Sequence, residues 1–159
     1  MDIKLRPISV LDRTALLRIL KDTPEFKPSE YKVAKEVLDD SLKDDDNSGY
    51  LILVAVGNNQ ILGYICYGPT PLTNGTWDIY WEAVARNWRG QGIGDRLMKA
   101  AEREIRKAGG RMALIETSSA PAYEKTRSFY SNHGYKEIAR VPDFYEPGDD
   151  KLILQKKFE

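Results

Sequence analysis

The chain holds one cysteine, Cys66, and one histidine, His133, in 159 residues. A single thiol closes no internal disulfide, so a reducing, cytoplasmic setting is expected, and Cys66 reads as core packing in a strand. The lone histidine has no visible orienting partner and, just before Gly134, reads as a turn residue rather than a catalyst. Apolar runs such as Leu51 to Val56 fall far short of a membrane span, and the opening MDIKLRPISV alternates charged and apolar residues, unlike a signal peptide. Excess charge of one sign is missing too, with 24 Lys plus Arg against 24 Asp plus Glu. That balance gives no general basic field for nucleic acid or an anionic membrane, so an anionic ligand has to be held locally. The run Asp44-Asp45-Asp46-Asn47-Ser48-Gly49 lacks the ligand and glycine spacing of a calcium loop; it reads as a solvated loop, and no metal is expected. There is no internal repeat, low-complexity tract or linker.

What is present suffices to fold one unit. Hydrophobic residues at 42% argue against disorder despite 30% charged residues, and the length fits one domain over residues 1–159. Ile3, Leu5 and Pro7 suggest a short edge strand, since Pro7 lacks the donor a central ladder needs. Two amphipathic helices follow, on Leu11, Ala15, Leu16, Ile19 and Leu20, then on Tyr31, Ala34, Val37, Leu38 and Leu42. YLILVAV and ILGYICYG read as a hairpin turning at Gly57 to Gln60, and TWDIYWEAV as a third long strand. Simple alternation puts Trp77, Ile79, Trp81 and Ala83 on one face and Asp78, Tyr80, Glu82 and Val84 on the other. A helix from Ile93 to Ile105 ends at Gly109-Gly110, MALIET is a strand, and Tyr123 to Asn132 is a helix. YKEIARV and KLILQKKF are the last strands, around a loop PDFYEPGDD. The order is strand, two helices, three strands, helix, strand, helix, two strands, which predicts an α/β sheet-and-helix layer structure.

The segment Arg89-Gly90-Gln91-Gly92-Ile93-Gly94 sits between strand and helix. Glycines let a ligand approach the backbone, and the first helical turn offers unpaired N–H groups at the positive end of the dipole, so this is a local anion site. No Lys-Ser/Thr follows a suitable glycine, which excludes a phosphate loop, and Asp95 stands where a dinucleotide fingerprint needs glycine. A glycine-rich turn with no ligand is the plain alternative.

The run AVARNWRGQGIGDRLMKAAE resembles the acetyl-CoA signature of the GNAT acyltransferases, Arg/Gln-x-x-Gly-x-Gly/Ala. Phe129-Tyr130-x-x-x-Gly134-Tyr135 is similar to a second motif of that family, and the element order matches it from end to end. The resemblance implies a GNAT fold: a central mixed, mostly antiparallel sheet of about seven strands flanked by about four helices. It also implies acetyl-CoA as cosubstrate. The pyrophosphate would be held by the Gly90 to Gly94 turn through the amides of Gln91, Gly92, Ile93 and Gly94, with Arg89 and Arg96 adding charge. The pantetheine arm would pair with backbone near Ala83 and Val84. Asp95 departs from the expected pattern, and is expected to point away with Arg96 offsetting it.

Transfer to an amine needs a base for the amine and an acid for the departing thiolate, and a tyrosine near pKa 10 suits a thiol. Tyr130 stands where the family's motif puts that tyrosine; Tyr123, Phe129 and Tyr135 read as core aromatics. For the base, Glu116 resembles a strand-end glutamate of the ribosomal-protein branch and Asp78 the catalytic glutamate of the histone-acetylating branch, with Glu82 the third carboxylate in range. Asp78 and Glu82 share the expected strand face, so the cluster of acids would raise the pKa of one member and favour a base role. A backbone N–H near Val84 would meet the oxyanion. The loop from Asp143 to Asp150 between the last strands, with Asp143, Phe144, Tyr145, Glu146, Asp149 and Asp150, suits a cationic amine, although an ordinary hydrophilic turn has the same composition. The resemblance thus implies an N-acetyltransferase acting on a primary amine. Tyr123 and the long SSAPAY segment favour a small or amino-acid-like acceptor over a protein N-terminus, and a homodimer is open, as is common in the family. The competing readings are a CoA-binding regulatory module without turnover and an anion-binding structural domain.

Overall fold

Strands that are apolar on both faces have to be covered on both faces, and YLILVAV and ILGYICYG are such strands. In the computed structural model, which describes residues 2–43 and 49–159, they form β2 (Leu51–Gly57) and β3 (Gln60–Pro69), joined by Asn58 and Asn59 at positive φ. Residues 44–48, most of the expected acidic loop, lie outside the described residues. Around this hairpin stand β1 (Lys4–Pro7), β4 (Thr76–Val84), β5 (Met112–Ser118), β6 (Lys136–Glu146) and β7 (Asp149–Lys157). They make one seven-stranded sheet in the order β1-β2-β3-β4-β5-β7-β6, antiparallel throughout except between β4 and β5. β1, with Pro7 at its end, is an edge strand as its sequence requires.

Helices α1 (Arg13–Lys21) and α2 (Pro28–Ser41) cover one face, with Leu16, Leu20 and Leu38 packed on Val54, Tyr64 and Cys66. Helices α3 (Ile93–Lys107) and α4 (Glu124–Asn132) cover the other. The α3 stripe of Ile93, Leu97, Met98, Ala101 and Ile105 is out of solvent against Leu62, Ile65, Ile79 and Ile115. Truncating any of its large members costs about 2–5 kcal/mol. Gly109 ends α3 in the left-handed conformation that an αL cap requires. No described helix is long and apolar enough to cross a membrane.

Two expectations need correction. The β4 alternation is broken: Tyr67 faces Ile79 and Cys66 faces Trp81, so Tyr80 is the extra residue of a bulge. Trp77 and Ile79 therefore pack on the α3 side while Trp81 and Ala83 pack on the α1–α2 side. Asp78 and Glu82 consequently lie on opposite faces. Second, PDFYEPGDD is mostly strand, with β6 and β7 joined by the turn Pro147-Gly148. Polar side chains shape that hairpin from within: Gly148 N donates to Asp143 Oδ1 (2.7 Å), Asp143 N donates to Asp150 Oδ1 (2.9 Å), and Arg140 pairs with Asp150 (3.0 Å).

Candidate active site

The ladder between β4 and β5 ends early. Thr76 to Asp78 pair with Met112 to Leu114, and beyond that the two strands diverge. A parallel pair opened this way leaves one edge of β4 from Ile79 to Val84 free of β5, and a cavity of about 1360 Å³ lies at the opening. That exceeds the volume usual for one small ligand, roughly 300–1,000 Å³.

One end of the cavity is the start of α3. Gly92 is its N-cap at φ +82°, no side chain caps the first turn, and Gly90 is also left-handed. A Cβ on either glycine would meet nothing within 4 Å, so the backbone here faces open space. Of the residues expected to bind cofactor, Ala83, Val84, Arg89, Gly90, Gly92, Ile93 and Gly94 line the cavity. Arg89 is fixed by donating Nε to Val84 O (3.1 Å) and Nη2 to Asp22 O (3.2 Å). Gln91 and Arg96 are not in the wall: Gln91 Nε2 reaches Asn87 O (3.4 Å), and Arg96 Nη2 donates to Ile3 O (2.9 Å), on the β1 side. Asp95 does line the cavity, and its partner is not Arg96 but His133, whose Nε2 lies 2.7 Å from Asp95 Oδ1. His133 thus has the orienting partner that its sequence neighbourhood lacks, and it closes α4 while doing so.

The other end is acidic. Glu25, Glu30, Glu116, Glu146 and Asp149 line it, and Lys27 and Lys125 are in the same cavity wall. Tyr123 and Tyr145 stand between these carboxylates. Burial first, then the charges of Glu30 and Glu25, push the Tyr123 hydroxyl up to about 12. Tyr145 is raised by burial, then by Glu116, Asp149 and Glu30. Tyr80, the bulge residue, packs beside the α1–α2 core and is raised to about 12 by burial and by Asp78. Of the residues expected to bind an acceptor, Tyr145 and Asp149 are in this wall, while Asp143 and Asp150 are spent on the hairpin and Phe144 lies under Lys151 (4.5 Å). Asp149 is itself buried and accepts from the Ser118 hydroxyl.

The catalytic candidates separate. Tyr130 is buried, packed edge-on by Phe129 and Tyr135, and its hydroxyl is raised by burial, then by Glu82 and Tyr123. Glu116 is exposed at the end of β5 and pairs with Lys151 (3.1 Å). Asp78 accepts from Thr70 Oγ1 (2.7 Å) and is not in the cavity wall. Glu82 is in the wall, raised well above the carboxylate range by burial and by Asp95. Sequence reasoning missed Glu25 and Glu30, and read Tyr123 as core; PEFKPSE looks only like the start of a helix, whereas Glu146 belongs to the expected acidic loop and is in the wall. Among the described residues no group of three or more His, Cys, Asp or Glu side chains is arranged to hold a metal ion.

Residues 48–137 match the family model described as an acetyltransferase (GNAT) domain. An uncharacterized N-acetyltransferase of Methanocaldococcus jannaschii is 32% identical over 107 residues, which span 65% of this chain and 64% of that protein. The crystal structure of a GNAT-family protein from Desulfovibrio desulfuricans is 36% identical, with a TM-score of 0.94 over 98% of this chain and 99% of that one. The PaiA N-acetyltransferase of Thermoplasma acidophilum, solved in complex with coenzyme A, is 19% identical with a TM-score of 0.77 over 99% of this chain and 100% of its own, a likeness of fold.

Proposed function

The chain belongs to the GNAT acetyltransferase family, and on that premise we propose that it moves the acetyl group of acetyl-CoA to a small primary amine by direct attack in a ternary complex. The observation that carries this reading is a single cavity that joins an uncapped helix N-terminus to an acidic chamber along the free edge of β4. An anionic donor and a cationic acceptor can enter from opposite ends and meet at the middle.

The residues present fit CoA, as judged by the open space at Gly90 and Gly92 and by the unpartnered buried Oε1 of Glu82. The N–H groups of Ile93 and Gly94 and the Arg89 guanidinium would hold the pyrophosphate, and the backbone of Ala83 and Val84 the pantetheine arm. Acetyl-CoA supplies an acyl group activated as a thioester. Tyr130, kept protonated by burial beside Glu82, holds a proton at Oη for the departing sulfur. Glu116 faces the acidic chamber and takes the proton of the incoming ammonium, directly or through water. Tyr123 and Tyr145 offer ring faces to the cation while Glu30 and Asp149 offset its charge.

Thiol release from acetyl-CoA, measured against a panel of amines, amino acids and peptides, tests the reading. Release that depends on a small amine is expected. Tight CoA binding with no acceptor-dependent release would favour a regulatory module, and no CoA binding would end the proposal.

A further inference from the structure

Glu82 is the β4 carboxyl group in the cavity wall, and the reaction just described leaves it without a task. Among the described residues its Oε1 is the buried side-chain oxygen with no hydrogen-bond partner. Its other oxygen is close enough to the start of α3 that a Cβ on Gly94 would stand 3.2 Å from Oε2 and 3.4 Å from Phe129. A glycine at position 94 therefore leaves room for this carboxyl group, pressed between α3 and α4.

The surroundings do not suit an anion. Asp95 on the first turn of α3 adds a like charge, and that residue's own partner is His133 at the end of α4. From α4 and the residue following its stop, Tyr130 and Tyr135 present hydroxyls on which Glu82 acts. From β3, Ile65 lies directly across. None of these elements sets a cation on Glu82. A buried carboxylate without a cation and a buried oxygen without a partner are both unfavourable, because neither recovers the hydration it has lost. Both costs fall if the group keeps its proton and meets an acceptor. The acidic chamber is elsewhere: Tyr123 and Tyr145 feel Glu25, Glu30, Glu116 and Asp149, not Glu82.

Resting on the reading that this cavity takes CoA, we propose that Glu82 is held as the neutral carboxylic acid and donates its O–H to an oxygen of bound CoA. It is then a cofactor-binding residue and not the base. A neutral carboxyl at this position also spares the bound phosphates a second negative charge beside Asp95. The acceptor is an amide oxygen of the pantetheine arm or an oxygen of the pyrophosphate, which share the same hydrogen-bond chemistry.

Calorimetric titration of the whole protein with CoA, and separately with ADP, from about pH 6 to about pH 9 tests this in the wild type, Glu82→Gln and Glu82→Ala. Gln keeps a donor and cannot ionise. The wild type is expected to lose affinity relative to Glu82→Gln by about tenfold for each pH unit above the titration of Glu82. Glu82→Ala is expected to bind about fivefold to tenfold more weakly than Gln at every pH. An effect shared by ADP assigns the acceptor to the pyrophosphate; one confined to CoA assigns it to pantetheine. Parallel pH profiles for wild type and Gln would overturn the proposal, as would Gln binding as weakly as Ala. No CoA binding by any form would end the cofactor reading and this inference together. Infrared difference spectra give a second readout that needs no ligand: at neutral pH the wild type should show a protonated-carboxyl C=O stretch that Glu82→Gln lacks, and its absence also overturns the proposal.

Discussion

Tyr123 donates its hydroxyl to the carbonyl oxygen of Glu25 at 2.9 Å, across 98 residues of sequence. The bond pins the connection between α1 and α2 to the start of α4, and so sets the width of the acidic chamber. Tyr123→Phe removes a hydrogen bond worth about 0.5–1.5 kcal/mol. The KM for the amine is expected to rise about threefold to tenfold, with kcat and CoA affinity within about twofold. Steady-state kinetics with both substrates varied would show it; an unchanged amine KM would detach this bond from acceptor binding.

Tyr130→Phe keeps the ring among Phe129 and Tyr135 and takes away the proton. Turnover should fall about 10²–10⁴-fold while CoA affinity and thermal midpoint barely move. Turnover at the wild-type rate would remove Tyr130 from the acid role.

At Gly92 the strain is in the backbone, not the packing. Its φ of +82° disfavours any L side chain, while an added Cβ would touch no other atom within 4 Å. Gly92→Ala should cost about 1–2 kcal/mol, a Tm loss of about 2–8 °C. CoA affinity should fall by about tenfold or more if the ligand approaches this backbone closely, and calorimetry on the folded variant would separate the two effects.

Asp12 gives an acid-dependent contribution to stability. Arg6 grips it with Nη1 and Nη2 at 2.7 and 2.9 Å, and Ser9 N adds a third bond at 2.7 Å. The Arg6 bond outweighs the opposing effect of burial and holds the carboxyl below its ordinary value. Stability from the pair is therefore present above the ordinary carboxylate range near pH 4 and lost as pH falls through the lowered value. Because Arg6 is 42% exposed, Asp12→Asn should cost only about 1–2 kcal/mol at pH 7. Urea unfolding should show the difference from wild type vanishing by about pH 2.

The start of α3 was legible in the sequence because its signals are local: left-handed glycines, a strand before and an amphipathic helix after. The element order was legible for the same reason, since β2 and β3 are continuous apolar runs on either side of a turn and α3 keeps a helical stripe. What stayed hidden depends on one residue or on distant ones. TWDIYWEAV alternates without a gap, so nothing in it marks Tyr80 as a bulge, yet that extra residue sends Asp78 and Glu82 to opposite faces. Arg96 looks like a phosphate ligand beside its glycines, but the helix turns it toward Ile3. Glu25 and Glu30 meet Tyr123 only through the tertiary fold, and the β6–β7 hairpin hides in a stretch of Asp, Pro and Gly because its polar side chains bond its own backbone.

The order β5-β7-β6 also sets a timetable. A ribosome delivers β6 before the strand it must pair with, whereas β1 to β5 emerge in the order in which they lie in the sheet. The half of the molecule that includes the glycine turn and α3 can therefore assemble while synthesis continues. All eleven residues of β6 are exposed even in the finished sheet, and the strand it pairs with is β7. Tyr145, Glu146 and Asp149 come into position last, so a nascent chain holds the glycine turn and the Glu25 to Glu30 stretch of the cleft before its acidic end is complete.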